Sequence, residues 1–225
     1  MQNYSVLKTR TLSGVATNSV LRKTYLLLSL TLLFSAFTAY LGVLSGARPG
    51  TMITILGMFG LLFLTQALRN SVWGLVATFA FTGFMGYTLA PILSFYLNGF
   101  VNGAALVATA AGGTGVIFLL LSGFVLVTRK DFSYMGGFLF AGIMVAFLVS
   151  LFGLFFHAPL LQLVISGVFM LLCSGLILFH TSQIMNGGET NYIMATISLY
   201  VAIFNIFISL LQILGVFAGG GSNRN

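Results

Sequence analysis

The sequence has 225 residues, of which 59% are hydrophobic and only 5% are charged, whereas soluble domains carry roughly 25% charged residues. A membrane-spanning helix needs about 20 apolar residues, so this composition leaves little chain for a soluble or catalytic domain. The net charge of +7 comes from residues in short loops and a tail, which excludes the clustered basic face of a nucleic-acid-binding protein.

The N-terminal residues 1–23 are polar and basic and lack apolar periodicity, which predicts a flexible tail. The apolar run that follows, residues 25–46, is too long for the core of a signal peptide and has no convincing cleavage site. It is therefore predicted to remain in the protein as a spanning helix. The glycine-rich residues 218–225 predict a disordered C-terminal tail.

Seven apolar runs, each near or above spanning length, are separated by loops rich in Gly, Pro, Asn and charge. They cover residues 25–46, 51–68, 73–97, 104–127, 134–156, 160–181 and 192–217. The sequence therefore predicts an all-α integral membrane protein, with a domain of seven transmembrane helices over residues 24–217.

The distribution of Lys and Arg predicts the orientation, because cytoplasmic loops carry an excess of both. With seven spans, two of these residues, Arg48 and Arg224, fall on the side opposite the N-terminus. The N-terminal side carries Lys8, Arg10, Arg22, Lys23, Arg69, Arg129 and Lys130. The N-terminus and the loop with Glu189 are therefore predicted in the cytoplasm, and the C-terminus in the periplasm or outside the cell.

Residues that could perform chemistry are scarce, since the chain has two acidic residues, two His and one Cys. Asp131 lies in a charged loop and is expected to be solvated, and Cys173 lies in an apolar run and is expected to be buried. The glycine-rich residues 112–115 lack the Lys of a phosphate-binding loop and indicate close helix packing. No catalytic residue, metal site or cofactor is predicted.

The two histidines lie at the ends of apolar runs. His157 is next to Pro159 at a predicted helix boundary, where an interfacial His is common. His180 ends the sixth run, and Gln162, Ser166 and Cys173 fall within about 40° of the same line on a helical wheel. One face of the sixth helix is therefore predicted to be mildly polar, with His180 as a candidate pH sensor.

The seventh run carries a polar stripe whose members fall within about 60° of one another on a helical wheel. The stripe consists of Asn191, Ser198, Asn205, Ser209 and Gln212. One interpretation is hydrogen bonding between helices, at about 0.6 kcal/mol per bond. The other is a polar path for ions, because polar groups in membranes face protein or water. Both interpretations predict that the seventh helix lies in the centre of the bundle.

Several segments resemble a known family. They are FTGFMGY at residues 81–87, API at 90–92, TRKD at 128–131 and NGGETNYIMATISLY at 186–200. Together they resemble the Bax-inhibitor/YccA family, and within it the bacterial YccA branch, over Leu21 to Gly215. The most specific part includes the motif loop of Gly187, Gly188, Glu189, Asn191 and Tyr192.

The resemblance implies a bundle of seven helices in which the last is surrounded by the other six. It also implies association with the FtsH membrane protease, an ATP-driven enzyme that YccA-like proteins modulate. Other members of the family behave as pH-sensitive calcium leak channels that use two aspartates. At the corresponding positions this sequence has His180 and Ala202, which cannot provide the carboxylates that calcium prefers.

The leading hypothesis is a non-enzymatic protein of the bacterial inner membrane that binds and modulates an FtsH-type protease and its associated membrane complex. The basic N-terminal tail would be the segment that the protease grips. The alternatives are a pH-sensitive leak channel for calcium or protons and a secondary transporter. Both alternatives usually require buried ionisable groups, and His180 is the one candidate in the predicted spans.

Overall fold

The computed structural model describes the backbone of residues 2–153 and 159–220 and the side chains of residues 18–153 and 160–219. His157 lies outside the described residues. In the predicted tails, residues 1–23 and 218–225, the described backbone of residues 2–23 and 218–220 is helical and continuous with the neighbouring apolar helices. The flexibility of these tails stays a prediction. In the described residues the secondary structure is helical, with no strand.

Eight α-helices follow one another in the described part of the chain, and a short 3-10 helix, Ser133–Met135, precedes the sixth. They are α1 Gln2–Leu44, α2 Thr51–Ala67, α3 Trp73–Thr88, α4 Ala90–Gly99, α5 Gly103–Thr128, α6 Gly136–Gly153, α7 Pro159–Met185 and α8 Tyr192–Gly220. This order confirms the predicted all-α fold.

Six helical segments of the described chain are long and apolar enough to cross a membrane. They are Asn18–Leu44, Trp73–Gly99, Gly103–Thr128, Ser133–Gly153, Leu160–Met185 and Tyr192–Gly219. The remaining predicted run corresponds to α2, which has only 17 residues. At 1.5 Å per residue α2 is about 26 Å long, at the lower end of what spans the hydrocarbon. A seventh span therefore stays a prediction.

The third apolar run, predicted as one segment, contains a break between α3 and α4. The backbone N–H of Leu89 donates to the carbonyl of Gly86 at 3.0 Å, a bond over three residues that tightens the last turn of α3. Pro91 follows and has no N–H to continue the helical ladder. The proline therefore accounts for the break.

Contacts divide the chain into two compact units. Unit 1 contains Met1–Ala90 and His180–Tyr200, and unit 2 contains Pro91–Phe179 and Val201–Asn225. In unit 1, α3 packs against both α1 and α2. A Cβ atom at Gly86 would overlap the backbone of Ser35 on α1, so glycine at this position allows α1 and α3 to approach closely.

Unit 2 has two apolar clusters. The buried residues of the first cluster are Tyr96, Ala110 and Leu211. The buried residues of the second cluster are Leu139, Ala146 and Leu172. In the glycine-rich residues 112–115, a Cβ at Gly113 would lie 3.4 Å from the side chain of Leu210, whereas Gly112 and Gly115 face open space. The prediction of close packing is therefore right for Gly113 and wrong for the other two glycines, because no atom of a neighbouring helix in the described residues lies within 4 Å of a Cβ at either position.

Candidate functional site

Unit 1 contains a group of hydroxyl side chains that are almost completely buried. They are Thr24, Thr31, Ser35, Thr65, Thr78, Thr82, Thr181, Ser182 and Thr196. A hydroxyl group withdrawn from water costs free energy unless it forms a hydrogen bond. The partners of these groups therefore indicate which of them hold the helices together.

Several of these hydroxyls bond only to the helix that carries them. Thr31 donates to the carbonyl of Leu28 at 3.0 Å, and Thr78 donates to the carbonyl of Gly74 at 2.7 Å. Such bonds within one helix satisfy the hydroxyl without linking two helices. They explain how threonine is tolerated in these spans.

Tyr200 on α8 links three helices of unit 1. Its side chain is 1% exposed, and its hydroxyl oxygen lies 2.6 Å from Ser35 Oγ on α1 and 3.1 Å from the carbonyl oxygen of Thr82 on α3. Because a carbonyl can only accept, the Tyr200 hydroxyl donates to Thr82 and the Ser35 hydroxyl donates to Tyr200. The Tyr200 ring also packs edge-on against Phe81, with centroids 6.0 Å apart. This network joins α1, α3 and α8.

Asn191 begins α8 and ties it to the loop between α2 and α3. Its side-chain oxygen accepts from the backbone N–H groups of Ile193 at 3.0 Å and Met194 at 3.2 Å, which is the geometry of an N-cap. Its Nδ2 group donates to the carbonyl of Arg69 at 3.0 Å and to Asn70 Oδ1 at 2.9 Å. Asn191 therefore serves as a cap and as a cross-link.

The rest of the motif loop ends α7 and turns the chain into α8. Gly187 has a φ of +75°, a conformation that favours glycine, and the N–H of Gly188 donates to the carbonyl of Gln183 at 2.9 Å. Together these features form a Schellman motif at the end of α7. Glu189 then accepts the backbone N–H of Asn191 at 2.7 Å. The structure thus gives four of the five motif-loop residues a role in forming the turn.

Contacts with α1 hold the start of α8. The Nζ atom of Lys23 lies 5.7 Å from the centroid of the Tyr192 ring, which is a cation–π contact. One turn further along α8, the Thr196 hydroxyl lies 3.3 Å from the carbonyl oxygen of Thr24 and 2.7 Å from that of Tyr192. Tyr192, the fifth residue of the motif loop, therefore contacts the basic end of the apolar part of α1.

Two hydroxyls of unit 1 differ from the others. The Oγ1 atoms of Thr24 and Thr181 are buried and have no hydrogen-bond partner among the described residues. Both residues are 0% exposed. A buried hydroxyl without a partner costs about 1–3 kcal/mol, so these positions are weak points of the packing.

The predicted polar stripe is divided between the units, with Asn191 and Ser198 in unit 1 and the remaining members in unit 2. Gln212 accepts a hydrogen bond from Ser166 on α7 at 2.6 Å, and Asn205 donates to the carbonyl of Val201 in its own helix at 2.8 Å. Ser209 is buried, and Ser198 is half-buried. Gln212 therefore forms a hydrogen bond between two helices, as the first interpretation predicted. An ion path along the stripe stays a prediction.

The remaining candidates lie as follows. His180 is half-buried in α7, and Ala202, at the second position of the acidic pair, is fully buried in α8. Cys173 is buried and Asp131 is exposed, which confirms both predictions. In the part of the chain that the structure describes, no three His, Cys, Asp or Glu residues come together as a metal site would require.

The Tyr200 network was not predicted from the sequence. One face of α1 carries four buried residues at helical spacing, Thr24, Leu28, Thr31 and Ser35. That spacing could have identified the inner face of α1. It could not have identified Tyr200 as the partner, because 165 residues separate Tyr200 from Ser35.

Comparison with known proteins assigns the chain to a family. Residues 17–219 match the family described as "Inhibitor of apoptosis-promoting Bax1". The chain is 52% identical over 204 residues to the Escherichia coli protein named "Modulator of FtsH protease YccA", covering 90% of this chain and 92% of that protein. It is also 52% identical over 219 residues to an uncharacterized protein of Pseudomonas aeruginosa, covering 97% of this chain and 96% of that one.

A more distant relative is an uncharacterized protein of Neisseria meningitidis, 31% identical over 209 residues, covering 89% of this chain and 92% of that protein. The family match thus covers nearly the whole chain, including the segments that carry the motif loop, Tyr200 and the six long apolar segments of the described residues. The chain is a multi-pass membrane protein that belongs to the Bax inhibitor family.

Proposed function

We propose that this chain is a non-enzymatic protein of the bacterial inner membrane that binds and modulates an FtsH-type ATP-dependent protease. The observation that carries the proposal is its 52% identity, over 90% of its length, to a protein named as a modulator of FtsH protease. The partner is the protease together with its associated membrane complex.

The physical basis of modulation is occupation of the protease by a substrate that resists extraction. An ATP-driven protease must grip a flexible segment before it can pull. Residues 1–23, whose backbone is helical from Gln2, would provide that segment once this end of α1 unwinds. The interior of unit 1 would then oppose unfolding, because Tyr200 links α1, α3 and α8 and Asn191 links α8 to the loop before α3. Slow extraction keeps the protease engaged.

The proposed topology has seven spans, with α2 as the shortest, a cytoplasmic N-terminus and a C-terminus outside the cytoplasm. The excess of Lys and Arg on the N-terminal side supports this orientation. The proposal also places α8 in the centre of the bundle. Three successive residues of α8, Ala195, Thr196 and Ile197, are all buried. Their side chains point over about 200° of the helix circumference, so burial of all three supports a position of α8 among other helices.

The alternative function, a cation leak channel, requires acidic side chains within the membrane-spanning segments. Both carboxylates of the chain, Asp131 and Glu189, lie between helices and not within the long apolar segments. The positions of the acidic pair are occupied by His180 and Ala202. In liposomes containing a calcium dye we expect little calcium flux, and more flux when His180→Asp and Ala202→Asp are combined. Robust flux through the unaltered chain, insensitive to His180→Ala, would favour the alternative.

The experiment that tests the proposal measures protein lifetimes in cells. Deleting residues 1–20 should lengthen the lifetime of the chain in a pulse-chase and remove its effect on degradation of another membrane substrate of the protease. A matched control replaces these residues with a Gly/Ser segment of equal length, which restores a flexible tail. If the deletion leaves both lifetimes unchanged while the protease is active, the tail is not the segment that the protease grips.

A further inference from the structure

Two elements of unit 1, α1 and the loop between α2 and α3, meet the start of α8, and both carry basic side chains. Lys23 on α1 lies over the ring of Tyr192 at 5.7 Å. The neighbouring residue, Asn191, donates to the backbone carbonyl of Arg69 at 3.0 Å. Arg22 precedes Lys23 in the chain. We call Arg22, Lys23 and Arg69 the basic rim.

The basic rim lies at the height where apolar helices end. Tyr192 is the first residue of the last candidate span, and Arg69 lies between the apolar helix α2 and the span that begins at Trp73. The contact with Tyr192 places Lys23 at the same level. Trp73 is 68% exposed, and exposed tryptophan is enriched where the bilayer meets water. The rim is therefore at the level of lipid headgroups.

The charge at this level is positive, and the cations are accessible. All three side chains of the basic rim are exposed. The motif loop contributes one negative charge, the carboxylate of Glu189, which accepts the backbone N–H of Asn191 at 2.7 Å. The bond from Asn191 uses the backbone carbonyl of Arg69, so the guanidinium group takes no part in it. The fold thus holds Arg69 by its backbone and leaves its charged group available to a ligand.

We propose that the basic rim binds the phosphodiester headgroup of an anionic phospholipid. Arg69 supplies the planar donors that match phosphate oxygens, and Lys23 and Arg22 add positive charge. Free phosphate would have to give up its hydration to bind exposed side chains, whereas a lipid headgroup is already held at this height in high local concentration. The ligand is therefore a lipid and not a soluble anion. This proposal does not depend on any protease partner.

The test compares lipid binding by the full chain and a charge-removing variant, Lys23→Gln with Arg69→Gln. Native mass spectrometry in detergent, with phosphatidylglycerol added stepwise, measures the lipid dissociation constant. Each basic residue near a membrane surface contributes about a fivefold change, so we expect the double variant to bind about 20- to 30-fold more weakly. Phosphatidylcholine should bind both proteins equally weakly.

The matched control is Arg129→Gln with Lys130→Gln, a second basic pair, which lies beside Asp131. It should retain binding within about twofold. Lys23→Arg with Arg69→Lys preserves the charge but removes the planar donors of Arg69, so it should bind more weakly than the unaltered chain and more tightly than the Gln variant. This order separates loss of charge from loss of folding. An unchanged dissociation constant for the Gln variant, an equal loss in the control pair, or competition by millimolar inorganic phosphate would each overturn the proposal.

Discussion

The Tyr200 network predicts that one hydroxyl group contributes measurably to stability. Tyr200→Phe keeps the ring and its edge-on contact with Phe81 but removes the bonds to Ser35 Oγ at 2.6 Å and to the Thr82 carbonyl at 3.1 Å. Hydrogen bonds in membrane proteins average about 0.6 kcal/mol, with a maximum of about 1.7 kcal/mol. Losing two bonds, with Ser35 left buried, should therefore lower the free energy of unfolding by about 1–2 kcal/mol.

The assay is unfolding of the purified chain in detergent micelles, with the free energy measured by steric trapping and the Tm by heating. The expected loss corresponds to a fall in Tm of about 2–8 °C for a chain of this size. Tyr40→Phe is the matched control, because Tyr40 is 60% exposed on α1, and its effect should stay within about 0.5 kcal/mol.

A double-mutant cycle with Ser35→Ala isolates the bond between the two side chains. The coupling energy should be about 0.6 kcal/mol, and at most about 1.7 kcal/mol. The reasoning would be refuted if Tyr200→Phe left the Tm unchanged, or if the two substitutions were additive within experimental error. An unchanged Tm would mean that Tyr200 contributes through its ring alone, and additivity would mean that the bond between Tyr200 and Ser35 contributes nothing to stability.

Further predictions concern the motif loop and the unpartnered hydroxyls. Asn191→Ala should lower the free energy of unfolding by about 1–3 kcal/mol, because the cap and both Nδ2 bonds are lost. Asn191→Asp should lower it less, because the cap remains, and unfolding by steric trapping checks this order. Gly187→Ala should cost about 1–2 kcal/mol in the same assay because its φ is +75°; no loss would show that the turn adapts. Thr24→Val and Thr181→Val should leave stability unchanged or raise it, whereas Thr65→Val, whose hydroxyl bonds to Leu61 at 2.7 Å, should lower it; a clear loss at Thr24 and Thr181 would contradict the account of these hydroxyls.

The positions of the helices follow from the sequence because long apolar runs have few alternatives in a membrane. The last run was predicted to begin at residue 192, where α8 begins, and the fourth at 104, one residue after the start of α5. The break at Leu89 was missed because a single Pro91 hardly alters the apolar character of a run. A proline within an apolar run therefore indicates where to look for a break.

The candidate site was only partly predictable. The glycine and asparagine of the motif loop carry local signals, since Gly187 suits a helix C-terminus and Asn191 suits an N-cap. The Tyr200 network depends on a side chain and a carbonyl from two distant helices, and helical periodicity gives the buried face of a helix without giving its partner. Such long-range pairings follow from the tertiary structure.

The central claim, that the chain binds an FtsH-type protease, is tested most directly by crosslinking and co-purification from native membranes. The tagged chain should recover the protease and its associated membrane complex at native expression levels, in amounts well above those recovered by an unrelated multi-pass protein of similar size with the same tag. Recovery of the protease no greater than with that control, from cells in which the chain and the protease are both abundant, would contradict the account.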